Sequence, residues 1–272
     1  MPKVARWEKR VAWLVSASLA AIVIATASLN LQGSRLFDEY ILLAVVIAIF
    51  PPAMLDYVDY RWKKSIDERL PDLFRSIVQA QESGMALPQA IEEASKRRYG
   101  ALTAELKKMT AQISWGMSFE EALQSFGQRV DTKLTRQSIP LIVEASRSGG
   151  RIERIFEPLG QFVESTLMAE RERRAQTRPY VAIVYVAFFV FLLIIIILFK
   201  TFFLQMGDLS ILRFAFLSPE ETRRLFFHMS FLQALFGGIV AGKMGEGTLS
   251  GGFLKHSVIL LIAGYLSIKF FV

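Results

Sequence analysis

LPDLFRSIVQAQESGMALPQAIEEASK, residues 70–96, decides how the rest of the chain is read. It predicts one helix from about Pro71 to Ser83, closed by Gly84, a residue suited to the left-handed position beyond a helix end. A second helix opens near Pro88, since a proline in a first helical turn removes no bonded donor. This pair lies inside Arg61–Arg178, a polar, helix-patterned block of a little under half the chain, with long apolar runs on both sides. That arrangement predicts a helical domain presented to water from a membrane base.

The same punctuation recurs through the block. A third helix covers about Ala101 to Trp115 and stops at Gly116, and Ser118-Phe119-Glu120-Glu121 is a capping-box signature that opens a fourth. The fifth covers about Thr132 to Ser148 and ends at Gly149-Gly150; the sixth starts near Arg151 and meets Pro158, a candidate kink. Apolar residues keep helical spacing, as in Leu102, Leu106, Met109 and Ile113, and no stretch alternates in the manner of a strand. Gly84, Leu87, Ala90 and Ile91 share their relative spacing with Gly116, Phe119, Ala122 and Leu123, and with Gly149, Ile152, Ile155 and Phe156. Three helix–turn–helix units of this kind predict a six-helix bundle, which competes with a repeat-built solenoid.

The flanks belong to a membrane protein. Of the 272 residues 53% are hydrophobic, 22 are Phe, and the mean hydropathy is +0.36, too apolar for an ordinary soluble domain. Apolar runs at about 11–29, 40–55, 180–204, 225–241 and 253–272 predict five spans, each long enough or nearly so to cross roughly 30 Å of hydrocarbon. In the first, Ala25-Thr26-Ala27 resembles a signal cleavage site, so removal of the segment competes with its retention. The longer run and the second span that follows favour retention. Pro51-Pro52 predicts a kink at the end of the second span. Lys3, Arg6, Lys9 and Arg10, the Arg61/Lys63/Lys64 cluster and the Arg171/Arg173/Arg174/Arg178 cluster put the N-terminus and the central block in the cytoplasm. The expected fold is therefore an all-α, multi-pass cell-membrane protein. Its parts are an N-terminal pair of transmembrane helices (1–56), a cytoplasmic six-helix bundle (57–178) and three further transmembrane helices (179–272).

Leu70-Pro71-Asp72-Leu73, Ser83-Gly84-Met85-Ala86-Leu87 and Gly116-Met117-Ser118-Phe119-Glu120-Glu121-Ala122-Leu123 resemble the cytoplasmic domain of the type II secretion F family. That family supplies inner-membrane platform proteins of type II secretion, type IV pili, tight-adherence pili and the archaellum. Ala241-Gly242-Lys243-Met244-Gly245-Glu246-Gly247 and Leu254-Lys255-His256-Ser257 are similar to its archaeal branch. The resemblance implies a non-enzymatic platform. A hexameric cytoplasmic ATPase would engage the bundle, and the membrane part would handle pilin-like subunits. The fullest archaeal platforms carry two bundles where this chain carries one; acting alone competes with a homodimer or pairing with a sister platform subunit, and the latter two are expected. A last bundle helix running on into the third span would be a stiff connection between the two parts.

The chemistry of the side chains agrees with a scaffold. Without cysteine there is no disulfide, thiolate metal site or thiol nucleophile. His228 and His256 lack further ligands at metal spacing and read as interface or hydrogen-bonded residues, so no catalytic residue, metal or cofactor is expected. The net charge of +7 comes without a compact basic and aromatic patch, which argues against nucleic acid; the basic stretches suit topology and anionic lipid. Glu82, Lys96, Arg97, Arg98, Arg147, Arg151 and Arg154, at or near the helix turns, are the candidate partner-binding residues, since charged rims suit a reversible interface. Within the membrane, Gly238 and Gly242 form a small-xxx-small pair for close helix approach, and Gln233 seeks a hydrogen bond across helices. The competing function is a transporter or channel subunit regulated by the bundle, which the scarcity of ionisable residues within the spans disfavours.

Overall fold

The computed structural model describes residues 4–30, 35–147, 153–203 and 218–271, and among them every regular element is helical. In chain order these are α1 (Arg6–Asn30), α2 (Arg35–Asp67), α3 (Leu70–Glu82), α4 (Leu87–Ser95), α5 (Ala101–Ser114), α6 (Phe119–Val130) and α7 (Lys133–Arg147). There follow α8 (Glu153–Leu198), α9 (Pro219–Glu246), the short α10 (Leu249–Gly252) and α11 (Val258–Phe271). Segments Phe199–Phe203 and Phe253–Ser257 are π-helical. Five helices among the described residues are long and apolar enough to cross a membrane. α2 continues through Pro51 and Pro52, and α8 runs unbroken through Pro158 and the arginine-rich stretch.

The chain forms two compact units, one of residues 58–172 and one of residues 4–57 with 173–272. In the first, local capping chemistry sets the helix ends. At the α3–α4 turn Gly84 has φ +91°, Met85 N donates to Ala80 O at 3.2 Å and Gly84 N to Gln81 O at 2.9 Å. The α5–α6 turn repeats this geometry, with Gly116 at φ +94°, Met117 N donating to Gln112 O at 3.1 Å and Gly116 N to Ile113 O at 3.0 Å. Both are helix closures in which a left-handed glycine lets two orphan carbonyls be satisfied. Ser118 and Glu121 form the capping box that opens α6. The third expected turn, at Gly149-Gly150, lies outside the described residues.

The faces that these helices bury make one core. It includes Leu70, Phe74 and Ile77 of α3, Leu102, Leu106 and Met109 of α5, Leu123 and Phe126 of α6, Ile142 of α7 and Phe156 of α8. The Phe74 and Phe156 rings meet with centroids 5.8 Å apart. Each such side chain contributes on the order of 1.5–3 kcal/mol by leaving water, so ordering comes from the shared core rather than from helices of 9–15 residues alone.

In the second unit α9 is the central contact, packing against α10, the π segment and α11. Phe188 and Leu192 of α8, Ala234 of α9 and Leu260 and Leu261 of α11 form its buried cluster.

Candidate functional site

In the 58–172 unit, polar bonds show which ends of the helices lie together. Arg129 Nε of α6 donates to Glu105 Oε2 of α5 at 3.0 Å, so the end of α6 lies beside the start of α5. Lys63 Nζ stands 3.9 Å from Asp131, which brings the end of α2 to the α6–α7 link. At the opposite end, Ser146 of α7 bonds to Glu120 at the start of α6. The glycine turn after α5, where α6 begins, therefore shares one end with the close of α7.

That end exposes apolar residues. Trp115 is 85% exposed, with Met117 at 38%, and Arg147 is exposed with them; at the α3–α4 turn Met85 is 40% exposed beside the exposed Glu82. The indole has no covering helix because Gly116 turns the chain away beside it. Aromatic and methionine side chains standing free in water mark an interaction surface more strongly than charges do. Charge at the turns does not point to these apolar residues. Their signal was a Trp and two Met directly flanking the two turn glycines.

The candidate charges are not one patch. Lys96, Arg97 and Arg98 follow the end of α4, a nine-residue helix away from Glu82, or about 13 Å along it. Lys96 Nζ donates to Glu93 Oε2 at 2.8 Å, and that hydrogen bond and charge hold the exposed Glu93 carboxyl below its ordinary range while raising the ammonium. Arg97 Nη1 donates to Ser76 Oγ of α3 at 3.0 Å, and Arg98 is exposed. Arg151 and the side chain of Arg154 lie outside the described residues.

In the other unit, the small residues make a tight contact. A Cβ on Gly238 would fall on the backbone of Ser257, and one on Gly242 would fall on Gly252. The small-xxx-small face of α9 is thus filled by α10 and the π segment of the same chain. Ser257, fully buried, donates from Oγ to Leu235 O of α9 at 2.8 Å. Gln233 is half-buried, and the polar link between these segments is made by Ser257. The two histidines bond across helices: His256 Nδ1 is 2.9 Å from Tyr185 Oη of α8, and His228 Nε2 is 3.3 Å from Asp38 Oδ1 of α2. Among the described residues no group of three or more His, Asp or Glu side chains is placed to hold a metal ion.

Residues 67–199 match the family model described as "Type II secretion system (T2SS), protein F". The chain is also 22% identical, over 238 residues, to an uncharacterised protein of Methanocaldococcus jannaschii; the match takes in 86% of this chain and 38% of that protein. The chain thus spans well under half the length of that relative. No solved structure matches it.

Proposed function

From the membership of residues 67–199 in the protein F family of type II secretion systems, a family of membrane platform proteins rather than enzymes, we propose that this chain is the platform of a type IV filament or type II secretion-like machine. In that role it couples a cytoplasmic hexameric ATPase to the assembly of pilin-like subunits in the membrane. The observation that carries the reading is the reach of the family match. It takes in the α3–α7 core, both glycine turns and the whole apolar length of α8. The lysine and arginine clusters beside the spans support a cytoplasmic position for the 58–172 unit.

The end that carries the glycine turns is the face we assign to the ATPase. Trp115 supplies the aromatic anchor that such an interface buries on binding, and Glu82 and Arg147 form its charged rim, with Arg151 and Arg154 close to Arg147 in sequence. Lys96, Arg97 and Arg98 belong to a separate, weaker contact or to the solvated surface. A homodimer, or pairing with a sister platform subunit, is part of the proposal.

The test is a pull-down from native membranes with a tag at the N-terminus, read by mass spectrometry. The proposal expects a secretion ATPase and pilin-like subunits among the captured proteins. Trp115→Ala, or charge reversal at Arg147, Arg151 and Arg154, should remove the ATPase and leave the pilin-like subunits. Recovery of neither class with the wild-type chain, together with solute-dependent conductance after reconstitution, overturns the platform reading.

A further inference from the structure

At one end of the membrane unit, α2, α9 and α11 gather a concentration of ionisable groups that the platform role leaves unused. Asp38 of α2 is only 8% exposed and accepts from Arg224 Nε of α9 at 2.8 Å, with His228 on its other oxygen. Glu39 accepts from Tyr265 Oη of α11 at 3.1 Å, and Lys269 Nζ donates to that same phenol at 2.8 Å. Between them lies a cavity of about 70 Å³. Charged side chains at the margin of spanning helices are costly and mark function unless each is paired.

The pairing leaves a defined remainder. Asp38 is matched by Arg224, and Glu39 is bound through a neutral phenol. Lys269 has only that phenol as its hydrogen-bond partner among the described residues. Arg223, half-buried on the cavity wall, has no carboxylate partner among them. Arg223 and Lys269 are thus the two cations of the cavity without a direct carboxylate contact among the described residues, and they share its wall with Glu220, Phe227 and Ile268. Next in sequence to Tyr265 and His228, Leu266 of α11 and Met229 of α9 are apolar residues 45% and 44% exposed. The cavity lies within two turns of the start of α9 and the end of α11, the level at which lipid headgroups sit.

We propose that this cavity binds the phosphodiester headgroup of a membrane phospholipid. Arg223 and Lys269 hold the phosphate oxygens, and the acyl chains lie along the Phe227, Leu266 and Met229 side. A guanidinium takes two phosphate oxygens at once, which makes Arg223 the main determinant. Asp38–Arg224 keeps α2 and α9 apart at the spacing that the cavity requires. Because the lining carries as many acids as bases, a headgroup needs the phosphate but no further net charge.

The experiment uses the full-length protein, delipidated in detergent, with bound lipid counted by native mass spectrometry during titration. Phosphatidylglycerol and phosphatidylcholine should both bind, and monoolein, which has no phosphate, should not. Arg223→Ala combined with Lys269→Ala should weaken phospholipid binding about tenfold, the scale of losing charge-assisted bonds, with the unfolding midpoint unchanged because Asp38–Arg224 is intact. Should the double variant fail to fold, Arg223→Gln alone should show the larger part of the loss and Arg223→Lys the smaller. Inorganic phosphate at millimolar concentration should not displace the lipid. Equal binding by wild type and the Arg223 variants, equal retention of monoolein, or full displacement by inorganic phosphate would each overturn the proposal. The last outcome would mark a free-anion site. Loss of lipid binding with ATPase capture intact, or the reverse, separates this site from the platform reading.

Discussion

Replacing Gly252 by alanine should destabilise the membrane unit, and replacing Gly237 should not. Gly252 has φ −61° and ψ −49°, an ordinary helical conformation, so alanine carries no backbone strain there. By helix propensity alone it should gain about 0.8–1 kcal/mol. Its Cβ, however, would stand 2.9 Å from both Gly242 Cα and Ile239 O and 3.1 Å from Gly238 O, all backbone atoms of α9. Side chains can rotate away, whereas a helix backbone must translate. Relief to ordinary carbon contact requires α9 and α10 to part by roughly half an ångström or more, which also opens the Gly238–Ser257 contact. Overpacking of this kind costs about 1–3 kcal/mol, which exceeds the propensity gain for most of that range, so the net effect is a loss of up to about 2 kcal/mol. Gly237, on the same helix, would place its Cβ 3.4 Å from the Val184 Cγ1 methyl, an ordinary contact with a side-chain atom. Alanine there keeps the propensity gain. The assay is the unfolding midpoint of the full chain in one fixed detergent, where Gly252→Ala should fall below wild type and Gly237→Ala should match or exceed it. Shifts of equal sign and size would refute the steric account and leave only a general effect of glycine content.

Two further perturbations test the interior bonds. Arg129→Ala leaves Glu105, 4% exposed, with Lys108 as its charged partner among the described residues, and should cost about 2–3 kcal/mol, read as lost hydrogen-exchange protection in peptides of α5 and α6. Burial pushes the Glu105 carboxyl upward, but hydrogen bonds from Lys108 and Arg129 outweigh it and hold the group below its ordinary 4.5. Its contribution is thus complete above that pH and is lost as the pH falls below it, so Glu105→Gln should flatten the acid limb of the protection profile. Ser257→Ala removes the buried hydroxyl that donates to Leu235 O, a carbonyl that α9 already engages. Interhelical bonds of this kind are worth about 0.6 kcal/mol, so the unfolding midpoint should drop only slightly. A loss as large as that expected for Gly252→Ala would mean that the hydroxyl, and not the glycine contact, fixes the spacing.

What could be seen in the sequence divides along the range of the interactions involved. Helix ends were legible because Gly84, Gly116 and the Ser118–Glu121 capping box act on backbone atoms within five residues of themselves. The five apolar segments were legible because length and composition decide them without reference to a partner. Orientation of the loops was not, since it depends on how successive helices pair. Glu82 and Lys96 stand 14 positions apart, yet α4 lies between them and puts them at different places on the unit. Longer range still, Asp38 meets Arg224 across 186 positions, and no spacing in either helix announces it.

The glycines of α9 show where the two kinds of information meet. The spacing of Gly238 and Gly242 states that something approaches closely, and it is silent about what. The occupant is the α10 turn, where Gly251 and Gly252 follow Thr248, whose Oγ1 accepts from Gly251 N at 3.2 Å and caps the short helix. A four-residue helix has almost no stability of its own. It holds its shape because its cap satisfies the first donors and because Gly252 lies against the α9 backbone with no side chain between. The π segment that follows shifts the helical register, and in that register Ser257 faces Leu235. A close approach readable on one helix thus depends on a cap, a glycine and a register shift on another. Removing any one of the three should loosen the same contact, which is why Gly252, rather than the more conspicuous Gly238 and Gly242, is the position where conformation and packing can be told apart.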